Sequence, residues 1–493
     1  MNLRAGPFVR LIRRTPLLRR GVTMCIVLSL IVAATEIAVA VALIPVLGTL
    51  GVYAGAEFSD FASRIPSAAW LVIFALAAAL RALANHQSSL QEERNSQEMA
   101  VFLQTRLYRA LAGAHWDAIR RVSPPRITSA LQTQTYDAVY GFNGIVQVVT
   151  AALLVIGYLV SAAWVFPLVL PVLFVLLALV WLLNARHNDR VQTHSEDYVD
   201  ATTELHQRYE DWVAISRIAS LGVDSDKLAD RFESGARKAA SHAVSYSRSS
   251  AATQMSYQLA LIGGILIGVP IAWWLETPPA LLVFALLAIL RVLPRAGSIQ
   301  VGYQGIINAV APLQAIERLA TQLESDPVVR PTGHSPLEWE RLSLTDIGIE
   351  ATLHDGRKHW TLRDVSFELK HGEWLAITGP TGAGKTTLAD AMLMLLRPDA
   401  GEIRIDGKVT NEELARRWRN QAAYVPQDVV LFDASIRENL KLYVPEATDE
   451  QLEIALRQAA GEFVMERLPE GLATRAGPGG RWLSGGERQR IGI

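Results

Sequence analysis

At 493 residues the chain is too long for a single hydrophobic core, because cores stop growing near ~250–300 residues, so two or more domains are expected. A net charge of −1 argues against a polyanionic partner, and no nucleic acid is expected. With Cys25 as the sole cysteine, an intrachain disulfide framework and a thiol pair for metal or redox chemistry are excluded, leaving Cys25 as a small apolar filler.

In chain order, Arg4, Arg10, Arg13, Arg14, Arg19 and Arg20 precede an apolar stretch, with no acidic residue among them. A secretory signal has that order of features. Residues 21–50, however, exceed the ~7–15 residues of a signal core, so a retained membrane anchor is expected. Six apolar segments follow the ~20-residue requirement of a spanning helix: about 22–49, 66–86, 139–162, 165–184, 255–275 and 278–294. The connections 87–138 and 185–254 are long, polar and helical in composition. Arg94, Arg106, Arg109, Arg120, Arg121 and Arg126 share a side with the basic N-terminus, whereas the first opposite loop carries Glu57, Asp60 and a lone Arg64. The basic side is therefore expected to be cytoplasmic, and six spans place both ends there.

Ionisable residues inside such segments are costly. Glu36 has two readings, a contact on a translocation pathway or an interhelical hydrogen bond, while Arg291 and Arg295 are expected to reach the cytoplasmic interface. Gly263, Gly264, Gly268 and Pro270 in the fifth segment have two readings, a moving element or, as the favoured expectation, close helix packing.

After Gln322 the chain turns polar, with Pro327, Pro331, Gly333 and Pro336 marking a linker over 323–341. An α/β domain is expected from 342 to 493, following a membrane domain over 1–322. The apolar run Glu373 to Thr378 reads as a strand. It leads into Gly379, Pro380, Thr381, Gly382, Ala383, Gly384, Lys385, Thr386 and Thr387, and then into a helix. That order is the context of a phosphate-binding loop. Glycines let backbone N–H groups turn toward phosphates, and a side chain at Gly384 would obstruct them. Lys385 is expected on the β- and γ-phosphates of ATP, and the Thr386 hydroxyl on Mg²⁺. Further on, Gln427 follows Tyr424-Val425-Pro426, and Ser484, Gly485 and Gly486 open a second helix suited to an anion.

Taken together these motifs resemble those of an ATP-binding-cassette half-transporter of the exporter type, and the resemblance spans essentially the whole chain. It implies an all-α six-helix membrane domain of the type IV exporter fold, followed by an α/β P-loop nucleotide-binding domain. It also implies a dimer, whether with itself or with a second half-transporter, seated in the lipid of the plasma (inner) membrane and moving an unidentified substrate with ATP and Mg²⁺. Gln427 matches the Mg²⁺-contacting glutamine, and Ser484, Gly485 and Gly486 match the signature that closes on a partner's ATP. His115 to Leu131 and Val213 to Phe232 resemble the intracellular loops that relay cassette closure.

Three departures stand out. The strand near Leu342 to Leu353 lacks the family's adenine-stacking aromatic, with His354, His359 and Trp360 as substitutes. Pro478 replaces a glutamate of relatives. Finally, the sequence stops at Ile493, before the family's Asp-ending strand and catalytic glutamate, so no catalytic residue is expected here and the nucleotide domain is expected to be incomplete. A truncated chain is the favoured expectation. An ATP-binding subunit that relies on a complete partner is the alternative.

Overall fold

The computed structural model describes residues 6–49, 66–165 save 123, scattered positions between 166 and 224, 225–274, 276, 279–328, 337–352 and 357–493. It divides into two compact units, Met1–Val328 and Val329–Ile493.

The first unit is helical. α1 (Gly6–Arg14) is amphipathic: Phe8 and Leu11, one turn apart, are buried, whereas Arg10 and Arg13 are exposed. α2 (Pro16–Thr49) opens on a proline, whose missing N–H costs a helix start nothing. α3 (Ser67–Gly113), the short α4 (Trp116–Arg120) and α5 (Pro124–Ser129), and α6 (Thr135–Val165) follow. Between α5 and α6, Ala130–Gln134 form a π-helical turn in which the Thr135 hydroxyl donates to the Ala130 carbonyl at 2.8 Å. α7 (Ser225–Trp274) and α8 (Pro279–Glu324) complete the unit's described helices.

Among the described residues three helices are long and apolar enough to cross a membrane: Pro16–Val39, Ala68–Gly113 and Arg126–Val160. They overlap the first three expected segments. The fifth and sixth are helical within α7 and α8, with a shorter apolar stretch at Gln258–Gly268. The fourth, 165–184, lies mostly outside the described residues, as do residues 50–65 and residues 213–224 of the second long polar connection.

Phe8, Leu103, Leu107, Phe142, Leu313 and Ile316 bind α1, α3, α6 and α8 into one core. Backbone bonds from His115 to the Asp326 carbonyl (2.8 Å) and from Val328 to the Gly113 carbonyl (2.7 Å) fasten the end of α3 to the chain after α8. Among the described residues, a Cβ at Gly263 or Gly268 would meet nothing within 4 Å, so no described neighbour packs tightly on those glycines. Instead Gly144 of α6 faces Gly302 of α8, where a Cβ would lie 2.5 Å from the Gly302 carbonyl oxygen.

The second unit carries a four-stranded antiparallel sheet in the order β2-β1-β3-β4, formed by β1 (Arg341–Thr352), β2 (Lys358–Lys370), β3 (Ala400–Ile405) and β4 (Lys408–Val409). In β1 the buried positions run Leu342 and Leu344, then Ile347 and Ile349. The alternation slips by one residue at a bulge between Leu344 and Ile347, which returns the later side chains to the core. Asp346 takes φ 50° there, its N–H donating to Ser366 Oγ at 2.8 Å.

Glu373 to Thr378, expected as a strand, is a correction: no strand is assigned over 373–378, and Trp374 is fully exposed. A strand requires a hydrogen-bonded neighbour, and among the described residues none pairs with this run.

Candidate functional site

The phosphate-loop residues Gly379 to Thr387 lead into α9 (Lys385–Met392), which rests on the sheet through the buried Ala391 and half-buried Leu388. Gly384 caps α9 with φ +86°. A Cβ there would lie 2.8 Å from both the Thr361 carbonyl oxygen and Leu362 Cδ2 on β2. The glycine is thus required by strand contact on the protein side, in addition to the clearance toward phosphate anticipated from the sequence. The Lys385 ammonium donates to the Gly379 and Pro380 carbonyls, both at 2.9 Å, which holds its charge against the loop. Pro380, Thr381, Gly382, Ala383 and Thr386 are exposed, and Thr387 is half-buried in the first turn of α9.

The other sequence-selected residues stand on a second core. α10 (Glu412–Gln421) packs with the sheet, whereas α11 (Ile436–Lys441), α12 (Asp449–Gln458), α13 (Phe463–Glu466) and α14 (Gly485–Gly492) gather around Leu431, Ile436, Leu456, Phe463, Leu483 and Ile491. Gln427 sits exposed on a bend. Two residues later Val429 meets α14, where a Cβ at Gly492 would lie 2.6 Å from Val429 Cγ2. The structure therefore brings the Gln427 segment to the signature helix.

Ser484 caps α14 in a capping box: its hydroxyl accepts from the Glu487 N–H at 3.3 Å, and its own N–H donates to Glu487 Oε2 at 2.8 Å. The Ser484 backbone N–H, and then its hydroxyl, hold the Glu487 carboxyl below the usual carboxylate range. Gly485 and Gly486 are exposed, and the loop before them is a short 3₁₀ turn at Pro478–Gly480. Among the described residues no hydrogen bond or ion pair joins Ser484, Gly485 or Gly486 to Gly379 to Thr387 of the same chain.

Of the aromatic substitutes, His354 lies outside the described residues. His359 and Trp360 pair with Ala351 and Glu350 across the β1–β2 ladder. The Trp360 ring covers Gly348 and stays 37% exposed, one residue from Thr361, which touches Gly384.

In the helical unit, Glu36 is 3% exposed and its Oε1 accepts from Arg81 (3.0 Å) and Arg291 (3.1 Å). Arg291 is accordingly a correction, since an ion pair on α2 holds it where snorkelling to the interface was expected. Burial of an apolar-segment carboxylate favours a guanidinium partner over solvent. Cys25 is buried as expected, and also accepts from Asn95 Nδ2 at 3.3 Å. Sequence reasoning missed a polar stripe on α3 and α6, where Ser96 donates to Asn143 Oδ1 at 2.8 Å and Thr150 meets Ser29 Oγ at 2.9 Å. The available signal was the helical spacing of polar residues inside apolar segments.

Residues 362–493 match the model of the ABC transporter family. The chain is 45% identical over 132 residues to the ABC transporter ATM1 of Toxoplasma gondii, covering 27% of this chain and 12% of that protein. It is 47% identical over 133 residues to the β-(1→2)glucan export ATP-binding/permease protein NdvA of Agrobacterium fabrum, covering 27% and 22%. Against the ATP-dependent lipid A-core flippase of Alkalilimnicola ehrlichii the figures are 40% over 162 residues, 33% and 27%. The matched stretches thus span about an eighth to a quarter of these relatives' lengths. A solved bacterial Atm1-family ABC exporter with ATP bound superposes with a TM-score of 0.76 at 21% identity, over 97% of this chain and 83% of the other. The ABC transporter domain implies ATP binding, and the apolar helices imply an integral membrane protein. Residues 362–493 thus carry an ABC transporter domain, and the chain shares the fold of the solved exporter, a helical membrane part followed by that nucleotide-binding domain.

Proposed function

We propose that the chain works as one half of an ATP-driven exporter, binding ATP at Gly379 to Thr387 and moving a substrate across the plasma (inner) membrane as a dimer. The observation that carries this reading is the exposed start of α14. Ser484, Gly485 and Gly486 present a helix N-terminus suited to phosphate, yet stand on a different core from the phosphate loop of their own chain. A second copy, or a related half-transporter, supplies the loop they would close upon. The names of the relatives, which include a glucan exporter and a lipid A-core flippase, support the export direction.

The chemistry available to Mg²⁺ fits. Thr386 hydroxyl and Gln427 amide oxygens are hard donors on exposed positions, the kind that joins Mg²⁺ to substrate phosphates in place of an all-protein cage. When bound, the ion neutralises charge on the β- and γ-phosphates. Lys385 adds a point charge to the same phosphates, exchanging its carbonyl partners Gly379 and Pro380 for phosphate oxygens. The basic residues before α2 and in the 87–138 connection favour a cytoplasmic nucleotide-binding domain.

The test is ATP retention by the purified full chain. Removing the ammonium in Lys385→Ala deletes charge-assisted hydrogen bonds worth about 1.5–3 kcal/mol, so affinity should fall roughly 10- to 100-fold while the thermal melt is kept. Unchanged retention in a folded variant would overturn the assignment of the loop.

A further inference from the structure

From Met1 to Thr35 the sequence holds no acidic residue, and every charged side chain in that stretch is an arginine. Among the described residues, Arg10, Arg13, Arg19 and Arg20 are exposed, and their guanidiniums make no hydrogen bond or ion pair. An amphipathic helix at a membrane surface ordinarily dips its apolar face into the bilayer. In α1 that face is already occupied, because Phe8 and Leu11 are buried in the core shared with α3, α6 and α8. Only the basic side is left to meet the surroundings.

α2 shows what those surroundings are. Leu17, Arg20, Met24, Val27 and Ile31 follow a spacing of three, four, three and four residues, which sets them on one face, and all five are exposed. The helix is apolar enough to cross a membrane from Pro16 onward, so this face meets acyl chains, and Arg20 stands in line with it near the end. A headgroup layer is about 5–8 Å deep, which a helix crosses in about four or five residues. Leu17 to Gly21, just before the uninterrupted apolar run, fill that depth. Beside them a recess of about 480 Å³ opens between α2 and α3, with apolar walls from Leu17, Leu18, Val101 and Phe102. Its own charges balance: Arg106 holds Glu324 through bonds of 3.1 and 3.2 Å, and Arg109 offsets Glu98 in sign. The excess positive charge therefore belongs to α1 and the opening turns of α2. An unpaired cationic patch that continues into an exposed apolar stripe suits a molecule with an anionic head and acyl chains. An acidic soluble peptide would leave Leu17 and Met24 uncovered.

We propose that the basic side of α1 and the opening turns of α2 bind an anionic phospholipid of the leaflet that α2 enters at Pro16. Its phosphate lies on Arg19 and Arg20, and its glycerol and upper acyl carbons lie against Leu17. Each arginine near an anionic lipid surface contributes roughly fivefold in affinity. The purified full chain in dodecylmaltoside micelles is titrated with dioleoylphosphatidylglycerol and with dioleoylphosphatidylcholine, and bound lipid is counted by native mass spectrometry. The glycerol lipid should bind at least tenfold more tightly than the choline lipid. Arg19→Gln together with Arg20→Gln should cut that preference to threefold or less while the thermal melt is kept. Where the double variant does not fold, Arg20→Gln alone carries the same comparison, with the preference expected to fall at least threefold. Equal binding of the two lipids by the wild-type chain overturns the proposal, as does an undiminished preference in either folded variant. No nucleotide enters the measurement, so the proposal stands or falls apart from the ATP-driven reading.

Discussion

Gly384 is constrained from two directions at once, by its left-handed backbone and by the β2 carbonyl against which it lies. An added methyl costs about 1–2 kcal/mol for the conformation, and crowding against backbone adds about as much again. Gly384→Ala should therefore lower stability by roughly 2–4 kcal/mol as well as weaken ATP retention, seen as a drop in the thermal midpoint of the nucleotide-free chain. Equal melts with and without the substitution would leave only the phosphate-side role. The phosphate loop was legible in the sequence because its demands are local: glycines, a lysine and a hydroxyl in fixed order before a helix. The strand expected at Glu373 to Thr378 was not, because its apolar residues carry a propensity but no statement of a neighbour. Trp374 stands in solvent for want of one.

At the scale of elements, α14 depends on its cap. Replacing Ser484 by alanine removes the hydroxyl from the Glu487 N–H and should cost about 1 kcal/mol, read from chemical denaturation. The carboxyl of Glu487 is depressed in the folded chain, so its contribution is present above the ordinary carboxylate value and lost as pH falls through the lowered one. The wild-type chain should thus shed this stabilisation on acidification, and Ser484→Ala should shed less, in melts taken across that window. A pH response identical in the two chains would remove the cap from the explanation. The crossing of α6 and α8 makes a similar claim on Gly144: an alanine methyl would press on the Gly302 carbonyl, so Gly144→Ala should destabilise the helical unit by about 1–3 kcal/mol. Gly263 and Gly268, with no described atom within 4 Å of an added Cβ, should accept alanine with little change in the same melt. Composition marked the fifth segment for close packing, yet small residues reveal only where an approach is possible. Which helix arrives is decided by the tertiary fold.

For the molecule as a whole, the membrane part and the nucleotide part announced themselves by hydropathy and by motif, whereas the polar network between helices did not. Glu36 was visible as a costly carboxylate, but its two guanidinium partners come from α3 and α8, far away in sequence. Losing the charge in Glu36→Gln strands both arginines. The cost should be about 2–3 kcal/mol, below the ~3–5 kcal/mol of fully buried pairs because Arg291 is 45% exposed. A thermal midpoint unchanged in nanodiscs would show that water or lipid satisfies them. One feature of the helical unit governs where that network points. The π turn at Ala130–Gln134 holds one residue more than regular winding, and each extra residue advances a helix by about 100°. It acts as a phase shifter for everything downstream. Deleting Gln132 would leave α6 a continuous helix while swinging Asn143, Gln147 and Thr150 more than a quarter turn off their bearing, parting Asn143 from Ser96 with every side chain intact.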